Sequence, residues 1–412
     1  MPSGFGSLVV VVVVAALAPI VVGLMPGRLR LPQVVLLLVA GILVGPSVAG
    51  WAEPDPVSLF SSVGLGFLFL LAGYELDPAL LRERAGLLAA TSWLVSLVAA
   101  VALLGGLYAA GWVHSPVVVA IALTTTALGT LLPILRDNDM LSGRFGRYVF
   151  AAGAVGELGP IVAMALFLGT RGSLVEAITL VVFLVIAYVI ALLPGQVRTT
   201  RIGQIILGGE HSTSQTTLRL SIALLFVFLL AASDMGFDNV LGAFVAGMVL
   251  RRWSPGHIDL LEAKLDAVGY GFFIPIFFVY SGITLDVEAI IANPAPMLIF
   301  FGVMFVVRGL PALFWYRREL PRIERVQLVF ITATALPLLV ALTSVGVANG
   351  TMTTATQAGV IGAGVLSVLV FPLVAVGLQQ RKSAATPHPD PGPSDRPTEP
   401  PQGGTGQHQT GL

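Results

Sequence analysis

The sequence predicts an all-α polytopic membrane protein with thirteen transmembrane helices, its N-terminus outside and its C-terminus in the cytoplasm. Three observations predict it. Of 412 residues, 56% are hydrophobic and only 11% are charged, against roughly 25% charged residues in a soluble domain. Apolar runs long enough to span a hydrocarbon core of roughly 30 Å recur as far as residue 379. Lys and Arg, finally, alternate between successive loops as the positive-inside rule requires.

The runs lie near 7–25, 33–50, 57–76, 85–112, 116–135, 145–170, 175–194, 216–233, 237–251, 266–285, 294–316, 323–347 and 355–379. The first is not expected to be a signal peptide, because MPSGFGS has no cationic segment and no small-residue cleavage site follows. With the N-terminus outside, the inside loops hold Arg28, Arg30, Arg82, Arg84, Arg136, Arg144, Arg147, Arg198, Arg201, Arg219, Arg251, Arg252, Lys264, Arg317, Arg318, Arg322 and Arg325. Arg381, Lys382 and Arg396 in the tail bring this to 20 of the 22 Lys and Arg. Only Arg171 falls outside, and Arg308 lies within span 11. A different helix number would scramble the alternation, so a multi-pass cell-membrane protein is expected.

Composition also excludes. With no Cys, disulfides and thiolate chemistry are impossible. His114, His211, His257, His388 and His408 all fall in loops or the tail, so no intramembrane imidazole cluster binds metal. HExxH, GxSxG and GxGxxG are absent, which leaves an intramembrane enzyme least supported and implies no nucleotide-binding regulatory domain. No cofactor is implied. A formal net charge of zero gives no bulk attraction for nucleic acid. The chain divides into a transport domain, 1–380, and a cytoplasmic tail, 381–412. Residues 383–412, rich in Pro, Gly, Ser and Thr, have no apolar face to bury and are expected to be disordered, as an inert tail or a regulatory one.

Internal repeats come next. Span 2 reads LLVAGILVGP and span 9 GAFVAGMVL, sharing Val-Ala-Gly at Gly41 and Gly247. Span 3 ends LLAGYELD and span 10 VYSGITLD, sharing Gly-x-x-Leu-Asp at Gly73/Asp77 and Gly282/Asp286. The offsets, 206 and 209, are nearly equal, and span 2 runs outward where span 9 runs inward. Spans 1–6 and 8–13 are therefore read as inverted six-helix repeats joined by span 7. Such repeats are a transporter signature, because one motif folded both ways up gives two near-equivalent packings open to opposite sides.

Transporters of this kind bind substrate where helices break at mid-membrane. Span 5 contains Thr124-Thr125-Thr126 and then Pro133; span 12 contains Thr332, Thr334 and Pro337. In each, Thr can divert backbone hydrogen bonds through its hydroxyl and Pro removes an amide donor. Membrane helices also tolerate both residues without breaking, but their corresponding positions in the two halves favour a pair of interrupted helices. Unwound carbonyls and half-helix ends there would supply oxygen ligands to a hard cation.

Two lone charges complete the constellation. Glu157 stands at the apolar middle of span 6, and Arg308 at the middle of span 11. A charge at mid-bilayer costs about 2.5–3.5 kcal/mol and almost always faces a bundle interior or a wet cavity. Neither has a charged residue close to it in its own span, so the two are expected to pair, either as part of a site or simply to hold the bundle together.

TTTALGTLLPILRD followed by GRFGRYVFAAGAVGELGPIV resembles the helix pair of the monovalent cation:proton antiporter-2 family, which includes Kef-type and sodium/proton exchangers. LFLLAGYELD, VLGAFVAGMVL and FFIPIFFVYSGITLD are similar to that family's other recurrent segments, over roughly 7–379. The resemblance implies a sodium/proton antiporter-like fold and a homodimer, with spans 1–3 and 8–10 as a fixed panel and spans 4–6 and 11–13 as a moving core. It places Glu157 on the family's ion-binding aspartate, Thr124, Thr125 and Thr126 on the first crossover, Thr332 and Thr334 in the second, and Arg308 on the span-11 Lys or Arg. Gly156-Glu157 replaces the family's usual Asp-Asp, Asn-Asp or Gln-Asp pair.

The expected function is secondary antiport of a monovalent cation, Na+ or K+, for a proton. A carboxylate in an apolar cavity can hold a proton or a metal cation but not both well. Arg308 is permanently charged and can only compensate, so one-for-one electroneutral exchange follows if Glu157 is the sole core acid. The alternatives are an organic-anion symporter that uses Arg308 to hold its substrate, and a membrane sensor that binds ions without moving them.

Overall fold

The computed structural model describes residues 4–25, 32–76, 78–111, 113, 116–167, 173–192, 215–253 and 258–385. The five His, Arg28, Arg30, Asp77, Arg171, Arg198, Arg201 and the tail beyond Ala385 lie outside these. Every regular element among the described residues is a helix, the form in which a lipid-spanning segment satisfies its own backbone.

In chain order the main helices are α1 (Gly4–Leu24), α2 (Gln33–Val44), α3 (Ser58–Glu75), α4 (Arg84–Ala109), α5 (Pro116–Leu123), α6 (Leu128–Asp137), α7 (Gly143–Phe167), α8 (Ser173–Leu192) and α9 (Thr216–Asp234). There follow α10 (Asn239–Trp253), α11 (Ile258–Val268), α12 (Ile274–Ile283), α13 (Ala295–Met304), α14 (Pro311–Trp315), α15 (Arg322–Ala333), α16 (Pro337–Ala348) and α17 (Thr354–Ala385). Ten helical stretches among the described residues are long and apolar enough to cross a membrane. The other three expected runs are shorter or interrupted. Gly45-Pro46 stops α2 after 12 residues, α10 has 15, and the run at 116–135 splits into α5 and α6. The last helix passes the expected boundary at 380, because Gln379 to Ala385 are fair helix formers and the next Pro is Pro387.

Packing concentrates in two groups. In one, α3 lies against α10 and α12, α2 against α12 and α1, and α9 against α10. In the other, α4 packs on α7 and α5, while α17 packs on α13 and α15. The groups meet along α7 and α10, and α8 touches both of those helices. On the α10 side Trp253 Nε1 donates to Ile190 O at 3.2 Å. The second group is filled by Phe301, Phe305, Phe330 and Phe371, with Phe301 and Phe371 stacked at 4.8 Å.

Glycines set the closest crossings. A Cβ on Gly41 would run into the Val279 carbonyl, and one on Gly282 into the Leu38 carbonyl, so α2 and α12 touch backbone to backbone. At the crossing of α3 and α10, Gly73 faces the Phe244 carbonyl and Gly247 the Leu70 carbonyl in the same way. Lipid tails are as apolar as Leu, so this close approach supplies the van der Waals attraction that hydrophobicity does not.

Two π-helical turns interrupt the second half, Gly269–Phe273 before α12 and Phe305–Gly309 before α14. Each precedes a proline by the same spacing, Pro275 and Pro311. Proline removes an i→i−4 donor and its ring crowds the carbonyl below, so the helix widens, and Leu310 N reaches back to Phe305 O at 3.2 Å.

Candidate functional site

The sequence Leu123-Thr124-Thr125-Thr126-Ala127-Leu128 interrupts a helix, and every amide through the gap has an identified acceptor. Thr124 N and Thr125 N close a tight last turn on Ile121 O and Ala122 O, both at 3.2 Å. Their hydroxyls donate to the same carbonyls at 2.8 and 2.7 Å, and both residues are fully buried. Thr126 N donates to Gly156 O at 3.1 Å, and Ala127 N to Thr334 O at 2.9 Å. Leu128 N, the first free amide of α6, donates to Glu157 Oε1 at 3.0 Å. The carboxylate thus occupies a helix N-terminus, where orphan N–H groups and the macrodipole favour negative charge by about 0.3–1 kcal/mol.

The second interruption, between Ala333 and Pro337, faces the first. Thr126 Oγ1 donates to Thr332 O at 2.7 Å, while Ala127 N takes Thr334 O. Thr332 and Thr334 turn their own hydroxyls back onto Leu328 O and Phe330 O. Pro337 starts α16, where a missing N–H is harmless. Ser367 of α17 accepts from Ala335 N at 3.1 Å, a role sequence reasoning missed because only tertiary structure brings α17 to the gap.

Arg308 differs from expectation. Its Nε and Nη2 donate to Thr126 Oγ1 at 3.0 and 2.9 Å, and Nη2 also to Ala152 O at 3.0 Å. The direct pair expected with Glu157 is not among the ion pairs of the described residues. Gly156 explains this, since a Cβ there would sit 2.5 Å from Thr126 Oγ1 and 2.7 Å from Arg308 Nη2. The absent side chain leaves room for the guanidinium to close on Thr126, while Glu157 finds its donor on α6. Gly156 itself contributes only its carbonyl, to Thr126 N.

Glu157 borders a cavity of about 290 Å³ between the two helix groups. Leu128, Phe150, Ala154 and Arg147 line one wall, and Ala72, Glu75, Leu76 and Leu80 the other. Sequence reading placed Glu75 in a repeat motif without giving it a role; its position at the cavity depends on how α3 is rotated. Tyr270, in the first π turn, brings its hydroxyl 3.7 Å from the Cβ position of Gly129 in the first turn of α6. Arg308, at 2% exposure with Nε and Nη2 both engaged, is not placed to seize an organic anion.

The profile of the family described as sodium/hydrogen exchanger, transmembrane, matches residues 12–377. YjbQ of Bacillus subtilis (strain 168), provisionally named a Na(+)/H(+) antiporter, is 29% identical over 297 residues, 68% of this chain and 47% of its own. The match therefore spans about half the length of that relative. The Na(+)/H(+)-K(+) antiporter GerN of Bacillus cereus is 24% identical over 270 residues, 64% of this chain and 68% of its own. Among solved structures, the sodium proton antiporter MjNhaP1 from Methanocaldococcus jannaschii at pH 8 superposes over 92% of this chain and 98% of its own. Its TM-score is 0.62 at 17% identity, a likeness of fold.

Proposed function

The chain belongs to the sodium/hydrogen exchanger family, and from that premise we propose that it exchanges one monovalent cation, Na+ or K+, for one proton by alternating access. One observation carries the reading: Glu157 sits at the N-terminus of an interrupted helix and borders a cavity between two separately packed helix groups. The names of YjbQ and GerN support the same substrates.

The chemistry follows from charge. Glu157 can be neutralised by a proton or by a cation from the cavity, and either load leaves the buried site with the same net charge beside the fixed Arg308. Moving the bare carboxylate past apolar surroundings costs about 2.5–3.5 kcal/mol more, so only loaded forms cross. Exchange is then coupled, and one-for-one exchange is electroneutral.

The proposal includes thirteen spans, N-terminus outside, in two inverted repeats. The glycine crossings support the repeats. Offsets of 206 and 209 carry Gly41 against Val279 onto Gly247 against Leu70, and Gly282 against Leu38 onto Gly73 against Phe244. In this reading α1–α3 and α9–α12 form the panel, α4–α7 and α13–α17 the moving core, and α8 the linker. Pairing of two copies as a homodimer rests on the family resemblance.

The test is to reconstitute the protein in liposomes and follow lumenal pH with a dye as Na+, K+ or Li+ is added. Wild type should alkalinise the lumen and Glu157→Gln should not. No cation-driven change in wild type refutes exchange, and a membrane potential generated by transport alone refutes the stoichiometry.

A further inference from the structure

α7 carries a buried proline in its interior, Pro160, four residues beyond Gly156. In an unbroken α-helix the N–H of residue 160 bonds to the carbonyl of residue 156; proline has no N–H to give, so the Gly156 carbonyl lacks that donor. Thr126 N, from the first interrupted helix, takes the place at 3.1 Å. Leu128 N goes to the side chain of the next residue of α7, Glu157, at 3.0 Å, and Ala127 N between them goes to Thr334 O at 2.9 Å. The extended segment is thus held alternately by α7 and by the second gap. Glycines of α7 make the room: a Cβ on Gly153 would strike Leu128, and one on Gly156 would strike Thr126. The second half supplies a contrast. In the proposed repeat an offset of 208, within the 206 to 209 of the glycine matches, carries Thr126 onto Thr334 and Gly156 onto Gly364. Four residues beyond Gly364 stands Val368, which keeps its N–H, and Thr334 N turns back onto Ile331 O of its own helix at 3.2 Å. The amide reaches across to the neighbouring helix in the half with the proline and stays in its own helix in the half without it.

We propose that Pro160 is a positioning residue for the exchange site: by withholding an N–H it leaves the Gly156 carbonyl to hold the crossover, whether or not Glu157 is loaded. This rests on the exchange reading above. A proton or a cation on Glu157 competes with Leu128 N for the carboxylate oxygens, so the side-chain anchor weakens in each loaded form. The Gly156 carbonyl carries no load, and its bond to Thr126 N persists. It keeps the first turn of α6, and the Thr126 hydroxyl that accepts from Arg308, in place while the load changes. Pro160 is unfavourable to α7 itself, since an interior proline removes a helix bond and crowds the carbonyl one turn below. Membrane helices retain such prolines where a neighbour satisfies the freed group, and here that neighbour is the crossover.

The experiment compares wild type, Pro160→Ala and Pro19→Ala. Pro19 is an exposed proline inside α1 and controls for the loss of a helix proline as such. Three readouts are taken: unfolding in detergent, deuterium uptake by the peptide covering 124–128, and the rate of lumenal pH change in liposomes against Na+ or K+ concentration. Pro160→Ala restores an N–H that competes for the Gly156 carbonyl. It should unfold no earlier than wild type, take up deuterium at 124–128 at least about five-fold faster, and raise the cation KM about five-fold, ~1 kcal/mol at 1.4 kcal/mol per decade. Because saturating cation refills the loosened site, kcat should stay within about two-fold. Pro19→Ala should match wild type in uptake at 124–128 and in KM. Earlier unfolding, unchanged uptake or an unchanged KM in Pro160→Ala each overturns the proposal; a proline that only shapes α7 would move stability and leave KM alone. Inert wild type refutes the exchange reading and this role together, and uptake at 124–128 then still decides whether Pro160 holds the crossover. Active wild type with an unaltered Pro160→Ala refutes this inference alone.

Discussion

One added methyl group, Gly156→Ala, tests how the crossover is packed. The new Cβ would lie 2.5 Å from Thr126 Oγ1, 2.6 Å from Thr126 Cβ and 2.7 Å from Arg308 Nη2. Neither neighbour can yield cheaply. Thr126 is held by its bond to Thr332 O, and Arg308 is buried with Nη2 already shared with Ala152 O. Alanine in a helix interior gains about 1 kcal/mol over glycine. Against this stand about 1–3 kcal/mol for overpacking and about 1.5–3 kcal/mol for a weakened hydrogen bond to a charged group. The unfavourable terms win, and the net expectation is a loss of about 2–4 kcal/mol. Gly302 in α13 is the control, because a Cβ there meets nothing within 4 Å; Gly302→Ala should be neutral or stabilising by up to about 1 kcal/mol. Unfolding in detergent, followed by tryptophan fluorescence, reads both variants. If Gly156→Ala is as stable as wild type, the guanidinium does not fill the space beside Gly156 and the account of the crossover is wrong.

The same measurement tests two more expectations. Thr126→Val removes the acceptor of two Arg308 donors and should cost about 2–3 kcal/mol; Thr126→Ser, which keeps the hydroxyl, should recover most of it, and equal losses in the two variants would show that the hydroxyl is not what matters. Gly41→Ala and Gly247→Ala each drive a methyl into a facing carbonyl at crossings that the proposed repeat would make equivalent. Both should destabilise by about 1–3 kcal/mol or more, and a damaging change at one with a neutral change at the other argues against equivalent packing.

Much of the candidate site was legible in one dimension because depth in a membrane is a sequence property. Glu157 and Arg308 stand out as charges in long apolar runs, and the Thr and Pro clusters mark the places where a helix lacks donors. The VAG and Gly-x-x-Leu matches placed Gly41, Gly247, Gly73 and Gly282 in corresponding registers, and all four became contact points between backbones. The π turns left a signal that went unread, the prolines at 275 and 311, since Pro in a membrane helix more often only bends it.

Partner choice was not legible. The sequence places Glu157 and Arg308 at similar depth, but whether two groups at one depth touch depends on the rotation of each helix about its axis and on the side chains between them. Here the missing side chain at Gly156 and the free amide of Leu128 drew the two charges to different partners, and the orientation of α3 turned Glu75 toward the cavity. Composition and periodicity determined the all-helical membrane class of fold and the residues too costly to bury without purpose. Tertiary packing decided which of them meet, because hydrogen-bond reach is a few ångströms and only the assembled bundle sets distances that short.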